Sequence, residues 1–182
     1  MIYYFTPYDL GGHLFEGYDQ CMKLLKNPSD WACFRDADAL IFQSNFGHII
    51  EDYIRRYPDT GVFTCFANRI GHPGQLLNAK LAVVDSVKYH YKIAMETQKK
   101  NEGIATELKT PISGMLMVIQ KQTWQQIRLQ VMETCKGKHL LAVDNKISSA
   151  ILKSGKKILR MDGLYLLHYY RMVEGKQKRQ LQ

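Results

Sequence analysis

Apolar residues recur along the chain with two spacings, and the two spacings alternate from one end of the sequence to the other. Short runs rich in apolar and aromatic residues, typical of buried strands, occupy residues 2–5, 31–34, 62–66, 112–119, 157–159 and 164–167. Apolar residues three or four positions apart, typical of amphipathic helices, occupy residues 15–25, 46–57, 77–95, 124–131 and 147–151. This alternation predicts an α/β fold, a single-domain mixed sheet flanked by helices.

Cap residues, breakers and one polar stretch set the expected ends of these elements. The second predicted helix has Ser44 or Asn45 available as its N-terminal cap, and Pro58 follows its last turn. Thr123 is the expected cap of the fourth predicted helix. Residues 96–110 are polar and charged with almost nothing to bury, which predicts a mobile loop able to act as a lid.

Chain length and charge limit the number of domains and the kind of partner. The 182 residues, 46% of them apolar, suffice for one hydrophobic core and are too few to need two. We therefore predict one domain over residues 1–175 and a basic polar tail over residues 176–182. The formal charge of +8 favours phosphate-rich partners. Much of the excess positive charge lies in the tail. Because nothing besides charge suggests nucleic-acid binding, we expect none.

The sequence also predicts a compartment. No run approaches the ~20 apolar residues that a membrane-spanning helix needs, and no basic segment precedes an apolar block at the start. Four cysteines are scattered along the chain without the close pairs of a zinc or redox motif, which is typical of thiols in a reducing environment. We therefore expect a cytoplasmic protein, and peripheral association with a membrane stays open.

Two aspartates directly beyond the second predicted strand are the clearest candidates for chemistry. Asp36 and Asp38 are two positions apart, so in extended chain their side chains point to the same side. Two neighbouring carboxylates repel each other unless a proton or a cation lies between them. A divalent ion shared with a diphosphate removes this repulsion, and Mg²⁺ and Mn²⁺ accept such oxygen ligands. The alternative is a surface turn whose aspartates face water.

The segment around these aspartates resembles a known family. Residues 31–42, WACFRDADALIF, are similar to the hydrophobic strand and DXD motif of GT-A fold glycosyltransferases of the family 2 type. Four later segments resemble, in the same order, the following strand, the acceptor-side strand, the acidic catalytic motif and the terminal strand of that family. They are PDTGVFTCFANR at 58–69, SGMLM with KQTW at 113–124, the helix at Asp144 with GKKI at 155–158, and LHYYR at 167–171.

The resemblance implies a role for each matching residue. Asp38 would bind the metal ion directly, Asp36 would contact the donor ribose or, through a water molecule, the metal, and His168 would be a further metal ligand. Asp144 would be the general base that deprotonates the acceptor hydroxyl, in a reaction that inverts the anomeric centre. The implied cofactor is Mn²⁺ or Mg²⁺, the donor is a UDP- or GDP-sugar, and the acceptor is a glycan or a lipid-linked glycan.

Further candidate contacts to the donor come from other strand ends. The stretch before Asp36 is shorter than the family's nucleotide-binding half, and residues 3–8 resemble what remains of its first strand and loop. Thr6 and Tyr8 would then lie beneath the nucleotide. Arg69 follows the third predicted strand and is a candidate for holding phosphate or acceptor.

Each of these residues has a purely structural alternative. Asp144 is well placed to cap a helix that ends at Gly155, and Arg69 could simply cover the sheet edge. His168 could be a core histidine that bonds to the backbone. Aromatic residues that could stack on sugar rings are expected mostly to pack in the core; they are Trp124, Tyr165, Tyr169 and Tyr170.

Three function classes are therefore compared. The favoured one is a metal-dependent inverting glycosyltransferase, and the second is a nucleotide-sugar or glycan binding module of the same fold that has reduced catalysis. A phosphatase of the haloacid dehalogenase type also begins with a strand followed by Asp-x-Asp. Against it, Asp36 does not follow the first strand of the chain, and no later glycine-aspartate motif offers further magnesium ligands.

Overall fold

A computed structural model describes residues 1–8, 13–135 and 142–169. Over these ranges the chain is a mixed α/β fold with seven strands and five α-helices. The strands are β1 (Ile2–Phe5), β2 (Trp31–Arg35), β3 (Ala39–Ile41), β4 (Thr60–Ala67), β5 (Ala105–Leu108), β6 (Leu116–Gln120) and β7 (Lys157–His168). The helices are α1 (Leu14–Leu24), α2 (Phe46–Arg56), α3 (Val87–Asn101), α4 (Lys121–Cys135) and α5 (Val143–Lys153). The predicted α/β class is confirmed.

The direction of the strands brings several loops to one edge of the sheet. The strand order is β1-β2-β6-β4-β7-β3, and β5 also pairs with β7. The pairs β1–β2 and β4–β7 are parallel, whereas β6 is antiparallel to both of its neighbours, β2 and β4. Strands β1, β2, β4 and β7 therefore run in the same direction. Their carboxyl ends share one edge, which is where open α/β sheets commonly bind ligands.

Helices cover both faces of the sheet, as the alternating burial of the strands requires. Helices α1, α4 and α5 pack with Phe34, Met117 and Ile119 on one face. Helix α2 packs with Cys33, Phe63 and Leu166 on the other. Because β4 and most of β6 and β7 are buried on both faces, these strands are apolar along nearly their whole length.

The region between β4 and β6 differs from its prediction. The helix expected over 77–95 begins only at Val87, after two short 3₁₀ helices at Pro73–Gln75 and Ala79–Val83, and Ser86 accepts a cap hydrogen bond from the Tyr89 amide. The mobile loop expected over 96–110 is wrong, because it contains the end of α3 and the strand β5. Antiparallel pairing of β5 with β7 satisfies the backbone of this polar stretch, so few apolar side chains are needed there.

The last strand is longer than predicted. The two strands expected at 157–159 and 164–167 are one strand, β7, with an irregularity opposite the Cys65/Phe66 step of β4. Before it β7 pairs with β5, and after it with β3. Tyr53 fixes the irregularity, since the Gly163 amide donates to its hydroxyl at 3.0 Å and that hydroxyl donates to the Ile104 carbonyl at 2.9 Å.

Other details of the prediction have mixed outcomes. Helix α2 follows Asn45, as expected, although its side chain makes no cap bond. Thr123 is not a cap, because α4 already begins at Lys121. The proposed tail at 176–182 lies outside the described residues. None of the described helices combines the length and the apolar character needed to cross a bilayer.

Candidate functional site

The two aspartates lie on a tight turn at the carboxyl end of β2. The Asp36 amide donates to the Met115 carbonyl at 3.1 Å, and the Ala39 amide closes the turn on the Asp36 carbonyl at 3.2 Å. Beyond it the Tyr169 amide donates to the Asp38 carbonyl at 2.9 Å. The backbone of the turn is therefore tied to β6 and to the end of β7. Both carboxylates stay nearly half exposed, at 45% for Asp36 and 44% for Asp38.

His168, the last residue of β7, faces these carboxylates. Its Nε2 is 3.3 Å from Asp38 Oδ1 and 3.5 Å from Asp36 Oδ2, and its side chain is only 3% exposed. The ring Nδ1 lies 2.9 Å from the Arg69 carbonyl, and the backbone amide donates to Asn68 Oδ1 at 2.8 Å. When Nδ1 carries a proton, it donates a hydrogen bond to that carbonyl. The second ring nitrogen, Nε2, then faces the aspartates.

The donor set fits a divalent cation. One ligand atom from each of Asp36, Asp38 and His168 can be chosen so that all three lie within 4.8 Å of one another. Two carboxylates and one imidazole suit Mn²⁺, and the oxygen-rich character also suits Mg²⁺. An ordered imidazole whose other nitrogen contacts a carbonyl is the usual arrangement of a metal-binding histidine. The three residues predicted from the resemblance to form a metal site are therefore close together.

Electrostatics within the cluster favour a positive charge. Burial by itself would lower the pKa of His168. The Asp36 and Asp38 carboxylates and the Arg69 carbonyl outweigh burial and raise the pKa above the ordinary value of 6.5. A protonated imidazole next to two carboxylates occupies the place that a cation would take. Proton and metal ion therefore compete for the same arrangement of charges.

Asp144 lies in the first turn of α5 and is held by backbone amides. Its Oδ2 accepts from the Gly114 amide at 2.6 Å and its Oδ1 from the Asn145 amide at 2.8 Å. Burial raises the pKa of Asp144, and the charge of Asp36 raises it further, although the two amide bonds act in the opposite direction. The N-cap position of α5 is Ala142, so Asp144 is not the cap residue itself.

The close approach of Asp144 explains why residue 114 is a glycine. A Cβ on residue 114 would lie 2.7 Å from the Asp144 Cβ, closer than two such atoms approach each other. Gln75 fixes the same loop, because its Nε2 donates to the Ser113 carbonyl at 3.0 Å and its Oε1 accepts from the Ser113 amide at 2.9 Å. Nothing in the local sequence pattern distinguishes Gln75, a single polar residue in a polar loop.

The remaining candidates do not join the metal cluster through their side chains. Arg69 is buried and its guanidinium donates to the Ala82 carbonyl, whereas its backbone carbonyl contacts His168. Thr6 lies beyond β1 and lines a cleft together with Arg35, and Tyr8 is 76% exposed. Trp124 and Tyr165 are core residues, as their alternative predicted, and Tyr170 lies outside the described residues.

Comparisons with known proteins add no further guide. No family model matches the chain, and no curated protein is significantly similar to it.

Proposed function

We propose that the protein is a metal-dependent inverting glycosyltransferase that moves a sugar from a nucleotide-sugar donor to a hydroxyl acceptor. One observation carries the proposal: the ligand atoms of Asp36, Asp38 and His168 converge within 4.8 Å at the carboxyl edge of the parallel strands. Asp36 and His168 are 132 positions apart in the sequence. Asp144 is the second support, because burial and then the charge of Asp36 raise its pKa while two amides hold its carboxylate in place.

Each residue has a definite task in this reaction. Asp36, Asp38 and His168 would hold the cation, and the bond between His168 and the Arg69 carbonyl orients the ring. When bound, Mn²⁺ or Mg²⁺ supplies a Lewis acid that offsets the negative charge of the departing diphosphate. Asp144 accepts the proton of the attacking acceptor hydroxyl, and its raised pKa makes it a better base than an ordinary aspartate. A single displacement from the opposite face inverts the anomeric carbon.

The proposed substrates follow from the resemblance to GT-A fold glycosyltransferases. The donor is a UDP- or GDP-sugar, the acceptor a glycan or a lipid-linked glycan, and the reaction takes place in the cytoplasm. Peripheral contact with a membrane is compatible with a lipid-linked acceptor and with the net charge of +8. Thr6 and Tyr8 follow β1 at the same edge as the aspartates, where a nucleotide would extend from the cation.

A binding module of the same fold is the second candidate, and one observation favours it. Strand β1 is the edge strand next to β2, and within the described residues no further strand extends the sheet beyond it. The platform available for a nucleotide base is therefore narrow. Such a module would bind a nucleotide sugar or a glycan without turning it over.

The deciding experiment measures transfer and donor hydrolysis over a panel of UDP- and GDP-sugars with Mn²⁺. We expect Asp38→Ala and Asp144→Asn each to lower the rate by about 10³-fold, since one weakens cation binding and the other removes the base. Asp59→Ala is the matched control, because Asp59 is an exposed acid of the same charge away from the cluster. Its rate should equal that of the wild type.

The alternatives give different results in the same assay. A donor that binds in calorimetry without product, with affinity unchanged in Asp144→Asn, would favour the binding module. Wild-type protein that neither binds nor turns over any donor of the panel would contradict both candidates.

A further inference from the structure

A cleft beside β1 and β2 is lined by none of the three residues of the carboxylate and histidine cluster. It has a volume of about 210 Å³, and its lining residues are Tyr4, Phe5, Thr6, Cys33, Arg35, Ile41 and Phe46. At ~30 Å³ per water molecule this is room for roughly seven waters, or for one six-membered ring with a charged substituent. Cys33 packs with the core on the α2 side of the sheet. Phe34, the residue before Arg35, packs on the opposite face of the sheet with α1, α4 and α5.

Arg35 supplies the positive charge of this cleft. The other arginines in the described part of the chain each donate to an acceptor: Arg55 and Arg56 to Asp52, Arg69 to Ala82, Arg128 to Asp19, and Arg160 to Asp162. Among the described residues, no carboxylate or carbonyl accepts a hydrogen bond from the Arg35 guanidinium. It is nevertheless partly buried and lines the cleft. A guanidinium in such a place has its forked donors available for the two oxygens of a phosphate or carboxylate.

The residues around Arg35 could contact the apolar part of a small ligand, while Arg35 contacts its anionic group. Tyr4 and Phe46 form an edge-to-face aromatic pair with centroids 5.5 Å apart, and Ile41 adds an aliphatic side chain. Thr6 contributes a hydroxyl next to the aromatic wall. Apolar walls with a few polar groups are typical of small-molecule sites. The cleft therefore combines an apolar wall with one cationic group.

The described residues bring little negative charge to the cleft that would repel an anionic ligand. The first turn of α2, which begins at Phe46, contains no acidic residue, and the side chain of Asn45 does not cap it. Burial raises the pKa of Tyr4, and Glu51 on this helix adds to the effect; the Glu51 carboxylate lies 3.3 Å from His48 on the exposed side. Within residues 1–8, 13–135 and 142–169, no carboxylate forms an ion pair with the Arg35 guanidinium that an anion in the cleft would meet.

We propose that this cleft is a binding site for a small organic anion, a phosphate or carboxylate carried on a ring-sized body, and that Arg35 recognises the anionic group without a metal ion. The cleft shares Thr6 with the proposed donor site, but the inference rests on Arg35 and not on a cation, so its test does not depend on the transferase reaction. It differs in this respect from the cluster of Asp36, Asp38 and His168, which needs a cation to hold an anion.

The test uses phenyl phosphate and benzoate as probes of the two anion types, with the uncharged benzyl alcohol as a third. Binding is measured in metal-free buffer by amide chemical-shift changes and by calorimetry. We expect saturable binding of at least one anion, with shifts at the Cys33 and Gly47 amides. Arg35→Met should weaken it about tenfold or more, because a charge-assisted hydrogen bond is lost. Arg55→Met, which removes the same charge from an exposed side chain, should leave the affinity unchanged.

A variant of the other site separates the two proposals. Asp38→Ala removes a proposed metal ligand, and the anion should bind this variant as tightly as the wild type. Whichever of phenyl phosphate and benzoate binds more tightly through Arg35 identifies the type of anionic group. Equal affinity for benzyl alcohol, a requirement for metal, or equal loss in Arg35→Met and Arg55→Met would each overturn the assignment.

Discussion

Two regions of the molecule hold acidic side chains in contrasting ways. Asp19 on α1 is buried and accepts hydrogen bonds from Trp124 Nε1 at 3.2 Å and from Arg128 at 2.5 and 3.0 Å, and Lys23 lies 3.0 Å away. Asp36 and Asp38 are nearly half exposed and share one imidazole. The first acid has its full set of donors from the protein, whereas the second pair leaves room for a ligand.

The pKa values follow the same contrast. Burial alone would raise the pKa of Asp19, but the bonds from Arg128, Lys23 and Trp124 outweigh it and lower the pKa to about 2. At the other site the charge of the aspartates acts on their neighbours: it raises the pKa of His168 and contributes to raising that of Asp144. Acids that perturb surrounding groups mark a functional site better than acids whose own charge is satisfied.

The largest expected effect on stability comes from metal binding at the exposed pair. Mn²⁺ at a hundred times its dissociation constant should raise the free energy of unfolding by about 2.7 kcal/mol, visible as a rise of several degrees in Tm. Asp38→Ala and His168→Gln should abolish most of this rise, whereas Asp59→Ala should keep all of it. A full Mn²⁺ response in Asp38→Ala would contradict the site.

A second, somewhat smaller effect is expected at the buried acid. Asp19→Ala leaves the Trp124 and Arg128 donors without their acceptor and should lower the free energy of unfolding by about 2 kcal/mol, measured by urea denaturation. Asp38→Ala without metal should change it by less than about 1 kcal/mol, since its side chain is exposed. A larger loss in Asp38→Ala than in Asp19→Ala would reverse the comparison.

The smallest effect is a pH dependence with opposite sign in the two regions. The pKa of His168 is raised on folding, so its stabilisation is present below 6.5 and is lost as the pH rises through the folded value. The pKa of Asp19 is lowered, so its stabilisation is present above 3.8 and is lost as the pH falls toward about 2. Metal-free protein should therefore lose stability on the alkaline side, and His168→Gln should remove that slope from Tm curves.

Much of the fold follows from local pattern. Strand β1 has the predicted limits, α2 follows its expected cap position, and β4 exceeds its predicted core by two residues at its start and one at its end. These elements bury regular apolar patterns, so the period of the pattern sets the element. Strand β5 was not predicted because its side chains make polar contacts and show no apolar alternation. Thr106 donates to Asp162 at 2.6 Å, and Glu107 pairs with Lys109. Its partner strand lies about 50 residues later, and local pattern carries no information on such pairing.

The candidate site was predictable only in part. Spacing identified Asp36 and Asp38, and the resemblance added His168 and Asp144, but neither could show that the Arg69 side chain turns away to Ala82. That orientation depends on the 3₁₀ helix at Ala79–Val83, which lies within a stretch predicted as regular helix. The cleft around Arg35 was not foreseen either, since it is formed by β1, β2, β3 and α2 together.

The position of His168 on the final strand has a consequence for the order of folding. The imidazole lies 130 positions after Asp38, so during synthesis the two carboxylates leave the ribosome long before the group that completes their cluster. Strand β7 must insert beside β4 first, and closing so long a loop is entropically costly. In a refolding experiment, cation affinity should therefore arise late, together with completion of the sheet, and should report when the last strand has docked.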